Sequence, residues 1–225
     1  VLVVSEVFGP TFQGEGPSIG RRAGFVRLGR CNLACTFCDT PYTWDWANHD
    51  PAVELHQRAV DDVAEQLLAM DVPLVVITGG EPLLQQRHLP PLLDALNGID
   101  VEVETAGTIA PTDEVASLVT RFNVSPKLAN SGNPADRRYK PDVLHAFQAT
   151  GKAVFKFVVA AEADFDEVDA IVADNALTDI WVMPEGTDAA TVVRRTAALA
   201  EPTKARGWNL TTRLHVLVWG NERGV

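Results

Sequence analysis

The sequence predicts an α/β fold, a partial (β/α) barrel of six to seven mostly parallel strands. Three observations predict it. Short runs rich in β-branched residues alternate with stretches of helical spacing along the whole chain. Polar residues gather just past the ends of several runs, where such barrels carry their functional face. A length of 225 residues suffices for one sizeable core, read as a single domain over 1–225, but is short for a complete eight-fold barrel with its loops. The alternation by itself is also consistent with an open doubly wound sheet.

In chain order, the strand-like runs are 23–28, 74–78, 101–105, 121–124, 154–159, 179–183 and 214–218, with an extra strand at 3–8 outside the main series. Between them, Ala59, Val60, Val63, Leu67 and Leu68 share one helical face, as do Leu89, Leu92, Leu93 and Leu96. Pro90 and Pro91 confine that second helix's start to its first turn. Further helices are expected near 112–120, 141–150, 164–176 and 188–206, and Thr112 with Asp113 and Glu114 makes an acidic helix start. Strands alternating with helices imply βαβ units and right-handed crossovers.

Composition narrows the function. Apolar residues make up 46% and charged residues 22%, an ordinary globular profile. No apolar run reaches membrane-spanning length. The apolar start VLVVSEVFGP lacks a basic flank and does not read as a signal peptide. A net charge of −11 argues against a broad nucleic-acid-binding face. The three cysteines all fall between positions 31 and 38, a poor disulfide framework. Thiols gathered so tightly point to a metal or cluster in a reducing, cytoplasmic compartment.

The cysteines form a C-x3-C-x2-C loop, Cys31-Asn32-Leu33-Ala34-Cys35-Thr36-Phe37-Cys38, directly after the run 23–28. Such a loop can wrap three thiolates around one face of a [4Fe–4S] cluster and leave the fourth iron open to an outside ligand. Structural zinc is the competing reading, but it wants four ligands, and neither His49 nor Asp39 sits at a usual zinc spacing. Buried unligated thiols are the other alternative.

C-x3-C-x2-C with an aromatic before the third cysteine resembles the radical S-adenosylmethionine superfamily. The resemblance implies a modified radical SAM core. It also implies that the open iron chelates the methionine moiety and that the reduced cluster cleaves the sulfonium to a 5′-deoxyadenosyl radical. Cys31, Cys35 and Cys38 would hold the cluster, with Phe37 near the adenine and Asp39 also among the cofactor-binding residues. The turn Thr78-Gly79-Gly80-Glu81-Pro82 after the second run is explained as a strand-to-helix turn by composition alone. Paired with the cysteine loop, it resembles the superfamily's motif for the methionine amino group. Glu104, at the end of one later run, and Ser125, Pro126 and Lys127, just past another, are the remaining candidates for this cofactor, although singly such residues are more often turn or cap residues.

The N-terminal segment Phe12-Gln13-Gly14-Glu15-Gly16 reads by composition as a Gly-rich surface loop. Together with Gly24 to Leu28, Cys-Asn-Leu and Cys-Asp-Thr, it resembles the 7-carboxy-7-deazaguanine synthase family of queuosine and deazapurine biosynthesis. That resemblance implies ring contraction of 6-carboxy-5,6,7,8-tetrahydropterin with loss of ammonia, S-adenosylmethionine being regenerated. No side chain is then needed as a catalyst beyond cluster and cofactor. The segment 1–22 would, on that resemblance, contribute to the substrate site. Phe12, Gln13, Gly14, Glu15, Arg27, Thr78 and the last residue, Val225, become substrate-site candidates. Gln13 and Glu15 would read the heterocycle, and Arg27 would clamp the carboxylate in a bidentate fork. Thr40 would ligate Mg2+. The resemblance further implies a homodimer and an electron donor such as flavodoxin or ferredoxin.

Tyr42, Trp44 and Trp46 crowd into 41–58, as a lid over the site or, more simply, as a local hydrophobic plug. Two rival functions share part of these signals. A glycyl-radical activase would use the same cysteine loop and glycine turn, but needs a protein-docking face and not the Gln-Gly-Glu-Gly segment. A zinc- or cluster-binding interaction module would have no turnover.

Overall fold

The computed structural model describes residues 1–225. Its strands are β1 (Leu2–Phe12), β2 (Arg22–Leu28), β3 (His56–Arg58), β4 (Leu74–Gly79), β5 (Asp100–Thr105), β6 (Arg121–Val124), β7 (Ala153–Val159), β8 (Ile180–Pro184) and β9 (Asn209–Leu210). They form one sheet in the order β3-β1-β2-β4-β5-β6-β7-β8-β9. From β2 to β9 every neighbouring pair is parallel, and β1 pairs antiparallel with both β2 and β3. The sheet does not close, since β3 and β9 are its edges. This is the mostly parallel partial barrel that the sequence predicts, and the extra strand at 3–8 is real and longer.

Period-two alternation decides which face is apolar. In β7, Phe155 and Phe157 are fully buried in the main core, while Lys156 points to the opposite face. Likewise Val101 and Val103 of β5 and Phe122 and Val124 of β6 enter that core, while Glu102, Glu104 and Asn123 face the concave side. The crossover helices α2 (Val60–Leu68), α3 (Pro90–Ala95), α4 (Asp113–Leu118), α6 (Pro141–Ala149), α7 (Phe165–Asp174) and α8 (Ala189–Ala205) cover the apolar face through residues such as Leu67, Leu92, Val115, Phe147, Val168 and Leu199. Thr112 caps α4 by accepting from the Val115 amide at 3.4 Å. Leu68, expected on the buried face of α2, is instead 46% exposed. Two short helices complete the chain's connections, α1 (Pro51–Glu54) and α5 (Ala135–Arg138).

One element differs in type. The run 214–218, expected as a strand, is helix α9 (Leu214–Trp219). Short apolar runs do not separate helix from strand by periodicity. Here the place beside β8 is taken by Asn209 and Leu210, after which Thr211 donates to Val182 O at 2.9 Å and the chain leaves the sheet. Val216 then packs inward while Val218 stays exposed, the one-sided burial of a surface helix. The strands β3 and β9, three and two residues long, carry no sequence signal.

The glycines after β4 serve backbone contact. Gly79 has φ +143°, and a Cβ there would lie 2.1 Å from Leu28 O. A Cβ on Gly80 would lie 2.2 Å from Arg30 O and 2.9 Å from Cys31 Cβ. The turn is thus pressed against the start of the cysteine loop. Gly79→Ala is expected to destabilise by at least about 1–3 kcal/mol, the usual range for overpacking, read as a lowered denaturation midpoint. An unchanged midpoint would show that the β2 edge can yield.

Candidate active site

A cavity of 460 Å³ lies at the carboxyl ends of the parallel strands. All three cysteines line it, and all three are free. The loop that carries them is clamped by the segment 129–133: Thr36 N donates to Ser131 O at 3.0 Å, and Ala34 N donates to Asn133 Oδ1 at 2.9 Å. Burial pushes the Cys31 thiol up to about 12. Burial also raises Cys35, against the opposing pull of Lys127 and of an Asn133 hydrogen bond. Both are thiols at neutral pH, and a metal that takes them as thiolates releases their protons.

This donor set fits a three-thiolate cluster better than structural zinc. His49 sits edge-on to Tyr42, with ring centroids 6.3 Å apart, and does not line the cavity. Asp39 is taken by an ion pair with Arg213. Neither completes a tetrahedral site. Each sulfur does have one N–H donor, from Leu33 N to Cys31, Asn133 Nδ2 to Cys35 and Trp44 Nε1 to Cys38, at 3.4, 3.2 and 3.3 Å.

Opposite the cysteines stands a set of buried charges. Glu15 pairs with Lys156 and, at 3.1 Å, with Arg213 Nε. Arg213 also pairs with Asp39 and donates to Gly186 O at 2.5 Å. Burial alone would raise the Glu15 carboxyl, but Lys156, Arg213 and His215 hold it well below the usual carboxylate range. Burial lowers the pKa of His215, so its imidazole is neutral at pH 7. Glu15, Asp39 and His215 bring ligand atoms within 4.8 Å of one another. The Arg213 guanidinium already supplies positive charge among them, which disfavours a second cation there. Gly14 is held to glycine because a Cβ would fall 2.0 Å from His215 Nδ1.

Arg27 meets Glu6 through Nε at 2.5 Å, and its two Nη atoms make no hydrogen bond within the protein. Glu6 also accepts from Tyr42 Oη at 2.9 Å and from Arg223 Nε at 3.2 Å. Arg223 lies over the Tyr42 ring at 3.8 Å and pairs with Glu54, which brings the C-terminal residues to the cavity wall. Tyr42 and Trp44 therefore contribute polar atoms to the site, which corrects the reading of this loop as a plain hydrophobic plug. Trp46 is exposed.

Among the predicted site residues, Phe12, Gln13, Gly14, Glu15, Arg27, Phe37, Asp39, Thr40, Thr78, Gly79, Gly80, Glu104, Ser125, Lys127 and Val225 line the cavity together with the cysteines. Glu81 and Pro126 do not. Within the turn offered to the methionine amino group, the Glu81 carboxylate is fully buried and accepts from Leu83 N, Ala106 N and Thr105 Oγ1 at 2.8–3.0 Å. It fixes the glycine turn to the end of β5. Gln13 is 2% exposed and already donates to Glu104 Oε1 at 3.0 Å and accepts from Glu15 N at 3.2 Å. Glu104 accepts a second bond from Thr78 Oγ1 at 2.8 Å.

Sequence reasoning missed Lys156, Arg213, His215, Glu6 and Asn123. Lys156 was legible, since a lysine between Phe155 and Phe157 in a strand must face away from the core. Arg213 and His215 gave no signal, because only the fold returns them to Glu15.

Residues 26–151 match the model of the radical SAM superfamily. With the cysteine loop at the mouth of a partial barrel, this defines a radical SAM enzyme, which implies a [4Fe–4S] cluster and S-adenosylmethionine. The 7-carboxy-7-deazaguanine synthase of Pyrobaculum aerophilum is 37% identical, over 98% of this chain and 96% of its own. That of Hyperthermus butylicus is also 37% identical, over 97% and 93%. The crystal structure of QueE from Escherichia coli superposes with a TM-score of 0.71 at 27% identity, over 95% of this chain and 94% of that one. The chain belongs to the 7-carboxy-7-deazaguanine synthase family. No helix is long and apolar enough to cross a membrane.

Proposed function

We propose that the protein contracts 6-carboxy-5,6,7,8-tetrahydropterin to 7-carboxy-7-deazaguanine with loss of ammonia, a carbon–nitrogen lyase reaction on the route to queuosine. One observation carries this reading: a single cavity joins the three-cysteine loop to the buried ionic wall built from the Gln-Gly-Glu-Gly segment. The cluster with S-adenosylmethionine supplies the radical that starts the reaction, and S-adenosylmethionine is regenerated.

The protein's own residues bind and orient. Cys31, Cys35 and Cys38 hold the cluster. Phe37, Asp39, Gly79, Gly80, Glu104, Ser125 and Lys127 surround S-adenosylmethionine. Glu6 fixes Arg27 so that its free Nη pair meets the substrate carboxylate, a charge-assisted fork. Thr40 offers a hydroxyl oxygen to Mg2+, a hard ion that prefers oxygen. Gln13 and Glu15 are spoken for by internal partners, so we assign them the task of setting Glu104 and Lys156 in place. Neutral His215 and the remaining Lys156 protons then face the heterocycle. Val225, brought in by Arg223, closes the rim. A homodimer and a one-electron donor of the flavodoxin or ferredoxin class belong to the same reading. An activase acting on a protein partner fits less well, because the N-terminal segment faces into a cavity of small-molecule size.

The test is an anaerobic assay with 6-carboxytetrahydropterin, S-adenosylmethionine and Mg2+, read by product mass. Cleavage of S-adenosylmethionine with no 7-carboxy-7-deazaguanine would refute the proposal. Arg27→Ala is expected to spare uncoupled cleavage and weaken pterin affinity about 10- to 100-fold, as losing a charged hydrogen bond of ~1.5–3 kcal/mol does. Unchanged pterin binding would remove Arg27 from the substrate site.

A further inference from the structure

We infer that Trp44 and Asn133 are positioning residues that set the reduction potential of the iron–sulfur cluster, each by donating an N–H hydrogen bond to one cysteine sulfur. The inference rests on the cluster at Cys31, Cys35 and Cys38, and not on the identity of the substrate.

Trp44 Nε1 lies 3.3 Å from Cys38 Sγ, and Asn133 Nδ2 lies 3.2 Å from Cys35 Sγ. The direction of both bonds is settled by chemistry. The indole N–H is a donor only, and a ligating thiolate has no proton to give. The Asn133 amide is oriented by its other end, because Oδ1 accepts from the Ala34 amide at 2.9 Å. Its Nδ2 must then face the sulfur.

Both donors are held in place by the protein itself. The Trp44 amide donates to Pro41 O at 3.0 Å, closing a 3-10 turn over Pro41–Thr43. Asn133 is buried, and its own carbonyl accepts from Arg138 Nε at 3.1 Å. The segment before it is tied tightly to the cysteine loop, since a Cβ on Gly132 would fall 2.8 Å from Thr36 Cγ2. The backbone of Trp44 and the side chain of Asn133 are thus anchored by contacts that do not involve the cluster.

Reduction adds one electron to the cluster and negative charge to its sulfurs. An N–H aimed at a sulfur strengthens as that charge grows, so it favours the reduced state and raises the potential. The Cys31 sulfur takes its N–H from the Leu33 backbone. The other two ligand sulfurs take theirs from side chains, so two of the three N–H contacts can be altered without disturbing the loop backbone, and the Thr40 hydroxyl, 3.7 Å from the Cys38 sulfur, is left in place.

The experiment is an anaerobic potentiometric titration of the reconstituted enzyme, followed by electron paramagnetic resonance, without S-adenosylmethionine or pterin. Trp44→Phe keeps the ring and deletes the donor. Asn133→Asp keeps the acceptor for Ala34 and removes the donor, but it also adds a negative charge that lowers the potential by itself, so Trp44→Phe is the charge-neutral test. Trp44→Phe is expected to lower the reduced-to-oxidised ratio at a fixed poise about fivefold, which is about 40 mV at ~59 mV per tenfold for one electron, and Asn133→Asp should lower it further. The double variant should shift by roughly the sum. Trp46→Phe, in the same loop with no bond to a cysteine, should leave the potential unchanged.

Variants that keep about four irons per chain, as a four-iron cluster requires, at an unaltered potential would overturn the inference. So would loss of iron in both variants, because the contacts would then hold the loop and not tune the cluster. A wild-type protein that assembles no cluster would sink the cluster assignment as well. Shifted potentials in an enzyme that fails to convert the pterin would leave this inference standing and reject only the proposed reaction.

Discussion

Replacing any one of Cys31, Cys35 or Cys38 by alanine is expected to abolish S-adenosylmethionine cleavage. The reason lies in the ligand count. The chain has three cysteines and no other thiol to recruit. His49 and Asp39 are turned to other partners. A cluster left with two protein ligands loses its fixed open iron. Since loss of an outer-shell partner alone costs 10- to 100-fold in metal affinity or activity, loss of a ligand should cost more than about 100-fold. The fold should survive, because each cysteine sits half-exposed in a loop outside the apolar core. Circular dichroism and the denaturation midpoint of the iron-free protein should therefore match wild type, while iron content and 5′-deoxyadenosine release collapse. A variant that still released 5′-deoxyadenosine without iron would overturn the assignment of the three thiols.

The parts of the fold and site that could be read in advance share a physical trait: their signals are local. The β7 run Val154 to Val159 alternates because one face meets the helices and the other the cavity. The cysteine loop announces itself because three thiols must reach one group within eight residues. What could not be read depends on chain return. The 214–218 run is helical because β9 has already taken the edge of the sheet, a fact about Asn209 and Leu210 and not about the run itself. Glu81 has the residue type of an ammonium acceptor, yet the end of β5 supplies it with donors and turns it inward. Gly79 and Gly80 were legible as a tight approach, but what they approach is the neighbouring backbone at Leu28 and Arg30. Arg27 was legible as a cation at a strand end. That Glu6 occupies only its Nε, leaving the fork free, is a matter of β1–β2 register.

Lys156→Met is expected to have the largest effect on stability. Lys156 and Glu15 are 6% and 14% exposed at their side chains, and they pair directly. Removing one member of such a pair leaves the other charge buried and costs about 3–5 kcal/mol, more than the pair itself contributes. Arg213 still faces Glu15, which places the loss toward the lower end. The pH dependence identifies the cause. Glu15 has a folded pKa below its ordinary 4.5, so its contribution is complete above that value and is lost as the solution is acidified below it. Burial alone would lower the Lys156 pKa, but Glu15 and Glu104 raise it above its ordinary 10.5. Its contribution is complete below that value and is lost as the solution is made more alkaline. Denaturant titrations of the wild type should show a plateau between these limits with a falling limb on each side. In Lys156→Met the alkaline limb should weaken because the titrating group is gone. The acid limb should also become shallower, because Glu15 has lost its nearest cation and its carboxyl moves back up. Glu15→Gln added to Lys156→Met should recover part of the stability, since the stranded charge is removed. Parallel pH profiles for wild type and Lys156→Met would show that the pair is not coupled in solution.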